Sequence, residues 1–355
     1  MYRGFWSLPI LGFVLLTGCG GGGGGNAVTP IPTRYVVTAL DAIPSDSDST
    51  LIGWNRSNAF VGINGYNTQD YTDNRAYLFQ NGVMTLLEQM PGGGKVAPFA
   101  MNDAGDVVGA GGVPFASGQN HAFLYHAGKT VDLAGSNTNL SIATAINNNM
   151  QVAGTYSPVG QGISHAFLWQ NGQWTDLGVL PDNNESEAVG INLAGQVIGS
   201  SSHVVQTVDL PTVTNQRGFL WQGGQMRDLG AFEPASINDP GQIVGGSRTT
   251  AGDQRVQIWQ DGRLTDLGVP QDPARTYLPT EINNHGQVVG RIAGIPFSKN
   301  SAFLYSGGKL VDLKTRIPTS SGFVIDNALH IHEDGTILAH GALNGVAKYV
   351  LLTPQ

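Results

Sequence analysis

The chain has one cysteine, Cys19, in 355 residues, so no internal disulfide can form and stability has to come from packing. Charge is also scarce. Asp, Glu, Lys and Arg make up 12% of the chain, about half the usual share. The net charge is -8, with no run of lysine or arginine. Phosphate backbones are held by basic clusters, so a nucleic-acid partner is not expected. No apolar stretch approaches the roughly 20 residues that cross a bilayer. Local signatures of chemistry are missing too: there is no His-Glu-x-x-His, no Gly-x-Ser-x-Gly, no phosphate-binding loop and no cysteine pair. His330 and His332 share a strand face, but a third ligand at good spacing is not evident. Neither a metal nor a cofactor is expected.

What is present begins with an address. Arg3 supplies a small positive charge, and residues 5–16 form an apolar run that is too short to span a membrane and right for an export signal. Leu-Thr-Gly-Cys at 16–19 then resembles the bacterial lipoprotein lipobox, in which the cysteine is acylated and becomes the mature N-terminus. That resemblance implies a signal peptide over 1–18 and lipid attachment at Cys19. Residues 19–33, opening with six glycines after the cysteine, read as a flexible tether. Gly20 is not the aspartate that favours inner-membrane retention, so the outer membrane is the expected location, with the chain facing the periplasm or the surface.

Residues 34–355 are written in a repeat. HAFLWQNGQWTDLG at 165–178 has counterparts from His121, Arg217 and Ser301. A second word, as in AINNNMQVAG and EINNHGQVVG, places Asn55, Asn102, Asn147, Asn192, Asn238, Asn283 and then His332 at intervals of 45 to 49 residues. Such periods mark propeller blades or helical repeats. Asn-Gly between β-rich runs signals a two-residue hairpin, and Asn-x-x-Gly suits a type I turn followed by a left-handed glycine. Each unit is thus two hairpins, or four antiparallel strands. Glycine interrupts every candidate helix, which excludes the helical repeat. The ends agree: KYVLLTP at 348–354 lacks a return strand, and YVVTALDAI at 35–43 is a return strand lacking its partner. The expected fold is all-β, a seven-bladed propeller closed by the two ends in one blade.

The recurrent words resemble the HAF family of extracellular repeats, after His121-Ala122-Phe123 and His165-Ala166-Phe167. Departures are Arg75, Arg217, Arg255, Ser301 and Lys348 at the His position, and Leu86 where other units carry aspartate. The resemblance implies a secreted or surface bacterial protein and assigns no catalytic residue.

Tracing one unit puts all tight turns on one rim and the longer connectors on the other, where recognition is expected. His121, His165, Arg217 and Arg255, with the aspartates Asp132, Asp176, Asp228 and Asp266 near the same rim, fit either blade-by-blade pairing or a ring of charge around a mouth. Arg275 and Tyr277, in a connector that breaks the repeat, suit a polar or sugar-like ligand. The oversized stretch 200–216 fits a contact loop or an added strand. These features favour a monomeric binding module for an envelope protein or glycan. The alternatives are a polysaccharide hydrolase or lyase on the long-connector rim, and a purely structural envelope component.

Overall fold

The computed structural model describes residues 30–43, 50–64, 75–112, 120–134, 138–158, 163–205, 212–248, 254–270, 272, 274–294 and 300–355. Cys19, the export segment and most of the tether lie outside the described residues. Seven four-stranded antiparallel sheets form the blades of a propeller. We number them 1 to 7, spanning 50–86, 96–132, 138–178, 185–230, 233–266, 275–312 and 323–354, the last completed by Tyr35–Ala39.

Blade 3 shows the plan. Its strands are Thr138–Ile146, Val152–Pro158, His165–Gln170 and Gln173–Gly178, paired in that order. The third and fourth strands meet through Asn171-Gly172, both with positive φ (51° and 80°), as a type I′ hairpin requires. The first strand, ending in the repeated asparagine, is innermost, and the first strands of neighbouring blades touch around the axis. Crowding there is met by small residues. Two positions before the asparagine stand Gly53, Ala100, Ala145, Gly190 and Ser236, replaced in the last two blades by Glu281 and His330. Every inner strand also shifts register at this point, as in Ala143/Ala145 and Ala188/Gly190. A bulge of this kind bends the strand and sharpens its twist.

One glycine per blade, on the second strand, lies under an aromatic ring and against an inner-strand carbonyl. In blades 1 to 4 and 6 the ring comes from the third strand: Tyr77 over Gly62, Phe123 over Gly109, Phe167 over Gly154, Phe219 over Gly199 and Phe303 over Gly290. Blade 5 has Gln257 and blade 7 has Val350 at that place, and the connector residue Phe232 and Phe323, which opens the inner strand of blade 7, put rings over Gly245 and Gly341 instead. These rings are at most 7% exposed and form the heart of each inter-blade core.

The repeated asparagine does two jobs. Within its blade the Asn147 side-chain oxygen accepts the Asn149 and Gln151 backbone N–H groups, each at 3.0 Å, which fixes the turn. Its amide then donates to the Asn192 carbonyl in the next blade at 2.8 Å. The same link runs from Asn55 to Asn102, Asn102 to Asn147, Asn192 to Asn238, Asn238 to Asn283 and Asn283 to His332, at 2.9–3.3 Å. Six links thus belt the axis. At the seventh junction the His332 ring stacks on Trp54, with centroids 3.3 Å apart.

The ends close the ring as the sequence implies. Tyr35–Ala39 pairs with Val346–Pro354 as the outer strand of blade 7. Lys348 donates to Asp41 at 3.0 Å, and the Tyr35 N–H bonds the Arg316 carbonyl at 3.0 Å. Two expectations shift. Ile31, assigned to the tether, packs against the blade 7 core, so ordered packing starts before residue 34. Most of 200–216 is an extension of blade 4's own strands: Val197–Val205 pairs with Thr212–Gln222 through His203–Thr214 and Val204–Val213. In its described part the stretch prolongs a ladder already begun and adds no separate strand.

Candidate functional site

The charged residues at the strand entrances resolve into pairs. His121 Nδ1 lies 2.8 Å from Asp132, and His165 Nδ1 lies 2.9 Å from Asp176. Arg217 bonds Asp228 at 2.7 Å, and Arg255 bonds Asp266. In each blade the second carboxylate oxygen caps the turn after the strand, accepting the N–H of Ala134, Gly178, Gly230 or Gly268 at 2.7–2.8 Å. Desolvation pushes the Asp228 carboxyl up. The Arg217 hydrogen bond, the Gly230 N–H and the Arg217 charge more than offset this, leaving it below the usual carboxylate range. The four strand-entrance candidates, His121, His165, Arg217 and Arg255, are therefore engaged within their own blades. The geometry favours blade-by-blade pairing over a shared ring of charge.

Blade 6 departs from this pattern. Ser301 holds the cation's place and donates to Asp312 at 2.6 Å. The charge of Asp312 is met from elsewhere: Lys314 lies 3.0 Å away and Arg275 3.7 Å away, and Arg275 also stands 3.6 Å from Asp272. Two short 3-10 turns, Leu313–Thr315 and Thr319–Ser321, carry the chain to blade 7 in place of the usual connector. Together these residues enclose a cleft of about 590 Å³ between blades 6 and 7 on the long-connector rim. Its polar lining includes Asp272, Arg275, Asn300 and Thr319, and its apolar lining Ile317, Phe323 and Val324.

Tyr277, expected beside Arg275, does not line this cleft. Arg275 and Tyr277 are two apart and share a strand face, but Arg275 begins the strand at the rim, whereas Tyr277, two residues farther in, is 3% exposed, with its ring 5.9 Å from that of Phe303. The expected recognition pair is thus split, and only Arg275 faces the opening. Sequence reading missed Asp272, Asn300, Lys314 and Thr319. The absence of a cation at Ser301 was the available signal.

On the axis a second cavity of about 20 Å³ opens among Trp54, Arg56, Glu281, His330, His332 and Glu333, room for roughly one water molecule. His330 is buried against Glu281, with Nδ1 3.3 Å from its carboxylate, while His332 turns to Trp54. The two imidazoles therefore face different neighbours. Arg56 bridges the mouth, 3.0 Å from Glu333 and 3.8 Å from Asp103. In blade 4, desolvation raises the carboxyls of Glu185 and Glu187, and the neighbouring Glu187 charge raises Glu185 further.

No family model matches the chain, and no curated protein matches it in sequence. Solved structures do match in shape. The β-propeller domain of the Trilobed protease from Pyrococcus furiosus, described as having an open velcro topology, aligns with a TM-score of 0.56 and 8% identity, over 91% of this chain and 94% of that one. An acylaminoacyl peptidase in complex with Z-Gly-Gly-Phe-chloromethyl ketone aligns with a TM-score of 0.53 and 12% identity, over 86% of this chain and 51% of that one. The Pyrococcus horikoshii acylaminoacyl peptidase, in its orthorhombic form, gives 0.51 and 12%, over 82% and 48%. The chain spans about half the length of these peptidases. At such identities the likeness is one of fold.

Proposed function

We propose that this protein is a lipid-anchored envelope propeller whose long-connector rim is a binding surface, with the cleft between blades 6 and 7 as its centre. The observation that carries the reading is the coincidence of the cleft with the place where the repeat is broken. A residue required in every blade serves the blade, whereas Ser301, Arg275 and the 3-10 connector occur once and converge on one opening. The volume falls in the range of small-ligand sites, roughly 300–1,000 Å³. The polysaccharide-cleaving alternative is less well supported. Hydrolysis of a glycoside uses two carboxyl groups flanking one bond; here Asp272 lines the cleft, while Asp312 does not line it and is engaged by Ser301, Lys314 and Arg275. The raised carboxyls of Glu185 and Glu187 belong to blade 4, away from this cleft.

The address rests on Leu-Thr-Gly-Cys and the apolar run before it. An acyl chain contributes about 0.8 kcal/mol per buried methylene, and more than one chain gives stable attachment. The partner is an envelope component, protein or glycan, and the likeness to HAF repeats fits an exported bacterial protein.

Two measurements test this. Full-length protein is expected to incorporate a fatty-acid probe in cells, and Cys19→Ala to abolish that label; continued labelling would refute the anchor. In detergent, the protein is expected to co-sediment with isolated cell-envelope material, and Thr319→Trp, which fills the cleft, to reduce this at least tenfold. Undiminished sedimentation of Thr319→Trp would show that the cleft is not the binding surface.

A further inference from the structure

From the charge balance and the mixed lining of this cleft, we infer that its ligand is a neutral oligosaccharide. The inference rests on the reading of the long-connector rim as a binding surface and adds the chemical class of what it takes. Among the described residues, the cleft's cations are Arg275 and Lys314, and the carboxylates that face them are Asp272 and Asp312. The two signs cancel. An anionic ligand would have to displace Asp312 from Lys314, and a cationic one would have to draw Asp272 away from Arg275. Each exchange breaks an ion pair for every one it makes. A neutral ligand needs neither.

The wall also offers donors and acceptors that these pairs leave unspent. Arg275 is close enough to both carboxylates for attraction, but at 3.6 and 3.7 Å it is beyond hydrogen-bond length. A guanidinium has five N–H donors in a fixed fork, and among the described residues none is seen to take them in a hydrogen bond. The Asn300 side-chain oxygen is taken by the Gly294 N–H at 2.9 Å, which fixes the amide and turns its NH2 group to other use. Thr319 adds a hydroxyl and Asp272 an acceptor. Ile317, Phe323 and Val324 add apolar surface to the same lining, with Val324 69% exposed. A sugar ring has this same division, with hydroxyls around its edge and a C–H face. Arg275, Asp272, Asn300 and Thr319 read the edge, and the apolar residues take the face.

The breaks in the repeat explain why the cleft is here. In blades 2 to 5 an imidazole or guanidinium stands on the aspartate at the strand entrance. In blade 6 Ser301 is short, Lys314 and Arg275 reach Asp312 from other segments, and Ser301 and the 3-10 connector line the cleft.

The experiment is a glycan array probed with full-length protein in detergent, carrying neutral and uronate-bearing oligosaccharides. Calorimetry of the hits then compares wild type with Ser301→Arg. This variant installs the side chain that blades 4 and 5 place opposite aspartate; its melting temperature shows whether blade 6 is intact, and Thr319→Trp, at an exposed position, is measured beside it. The expected result is a neutral oligosaccharide whose affinity is unchanged between low and high salt and falls at least tenfold in Ser301→Arg. Binding only to acidic glycans, with salt-sensitive affinity, would overturn the neutral class. Neutral hits bound equally well by Ser301→Arg would overturn the location. Envelope binding that is lost in Thr319→Trp while the array stays blank, or that disappears when the envelope is treated with protease, would leave the rim reading standing and overturn this inference.

Discussion

His332 takes the place that asparagine holds in the other six blades, and it brings a titratable group into the belt. Burial holds its imidazole down to about 4; Asp334 pulls it up, but His330 and Arg56 reinforce the depression. Nε2 is buried without a hydrogen-bond partner. In the unfolded chain an ordinary imidazole takes up its proton near pH 6.5. Between that pH and about 4 the unfolded state therefore binds more protons, and the folded state loses stability as pH falls. The expected loss from this group is about 1–2 kcal/mol at pH 5 relative to pH 7. Denaturant titrations at the two pH values should show it in wild type and not in His332→Asn. An equal pH dependence in the variant would refute the assignment.

Among single elements, the second strand of each blade is the most constrained. A Cβ on Gly199 would overlap the Glu187 carbonyl oxygen and stand 2.7 Å from the Phe219 ring. Neither neighbour is the free end of a flexible side chain. Gly199→Ala is expected to cost about 2–3 kcal/mol, the upper part of the range for overpacked cores, as a lowered denaturation midpoint. A loss below about 0.5 kcal/mol, the level of an ordinary surface substitution, would show that the strand can move. How much of this was legible follows from where the information lies. Strands, turns and blade count are local, written in Asn-Gly pairs and alternating apolar residues, and the repeat states them many times over. The second role of the asparagines joins residues about 45 positions apart, and nothing within one unit reveals a bond to the next. Phe232 and Phe323, which replace the missing rings of blades 5 and 7, are invisible for the same reason. Tyr277 belongs to the core because a strand, not a connector, begins at Arg275, and two residues of depth along that strand separate the rim from the core.

For the whole molecule, closure is the decisive feature. Blade 7 takes three strands from the end of the chain and one from its start, and Leu51 adds a bond to the Tyr349 hydroxyl at 3.0 Å. Deleting residues 348–355 would remove the strand between Ile337–Leu343 and Tyr35–Ala39, leaving two unpaired edges. The expected result is a melting temperature lower by about 10 °C or more, reckoned from a loss of several kcal/mol in a chain of this size. An unchanged melting curve would mean that the ring does not depend on its clasp. Lys348 and Asp41, on the two segments, repeat in trans the pairing that other blades make within one hairpin.

The Tyr35 N–H is held by the Arg316 carbonyl, in the same ten-residue bridge that supplies Lys314, Ile317 and Thr319 to the cleft. A pull on the head of the chain is therefore delivered to that bridge before it reaches any other blade. A load on the occupant of the cleft arrives at the same spot from the other direction. Tension would pass through the seam of two sectors and leave the other five slack.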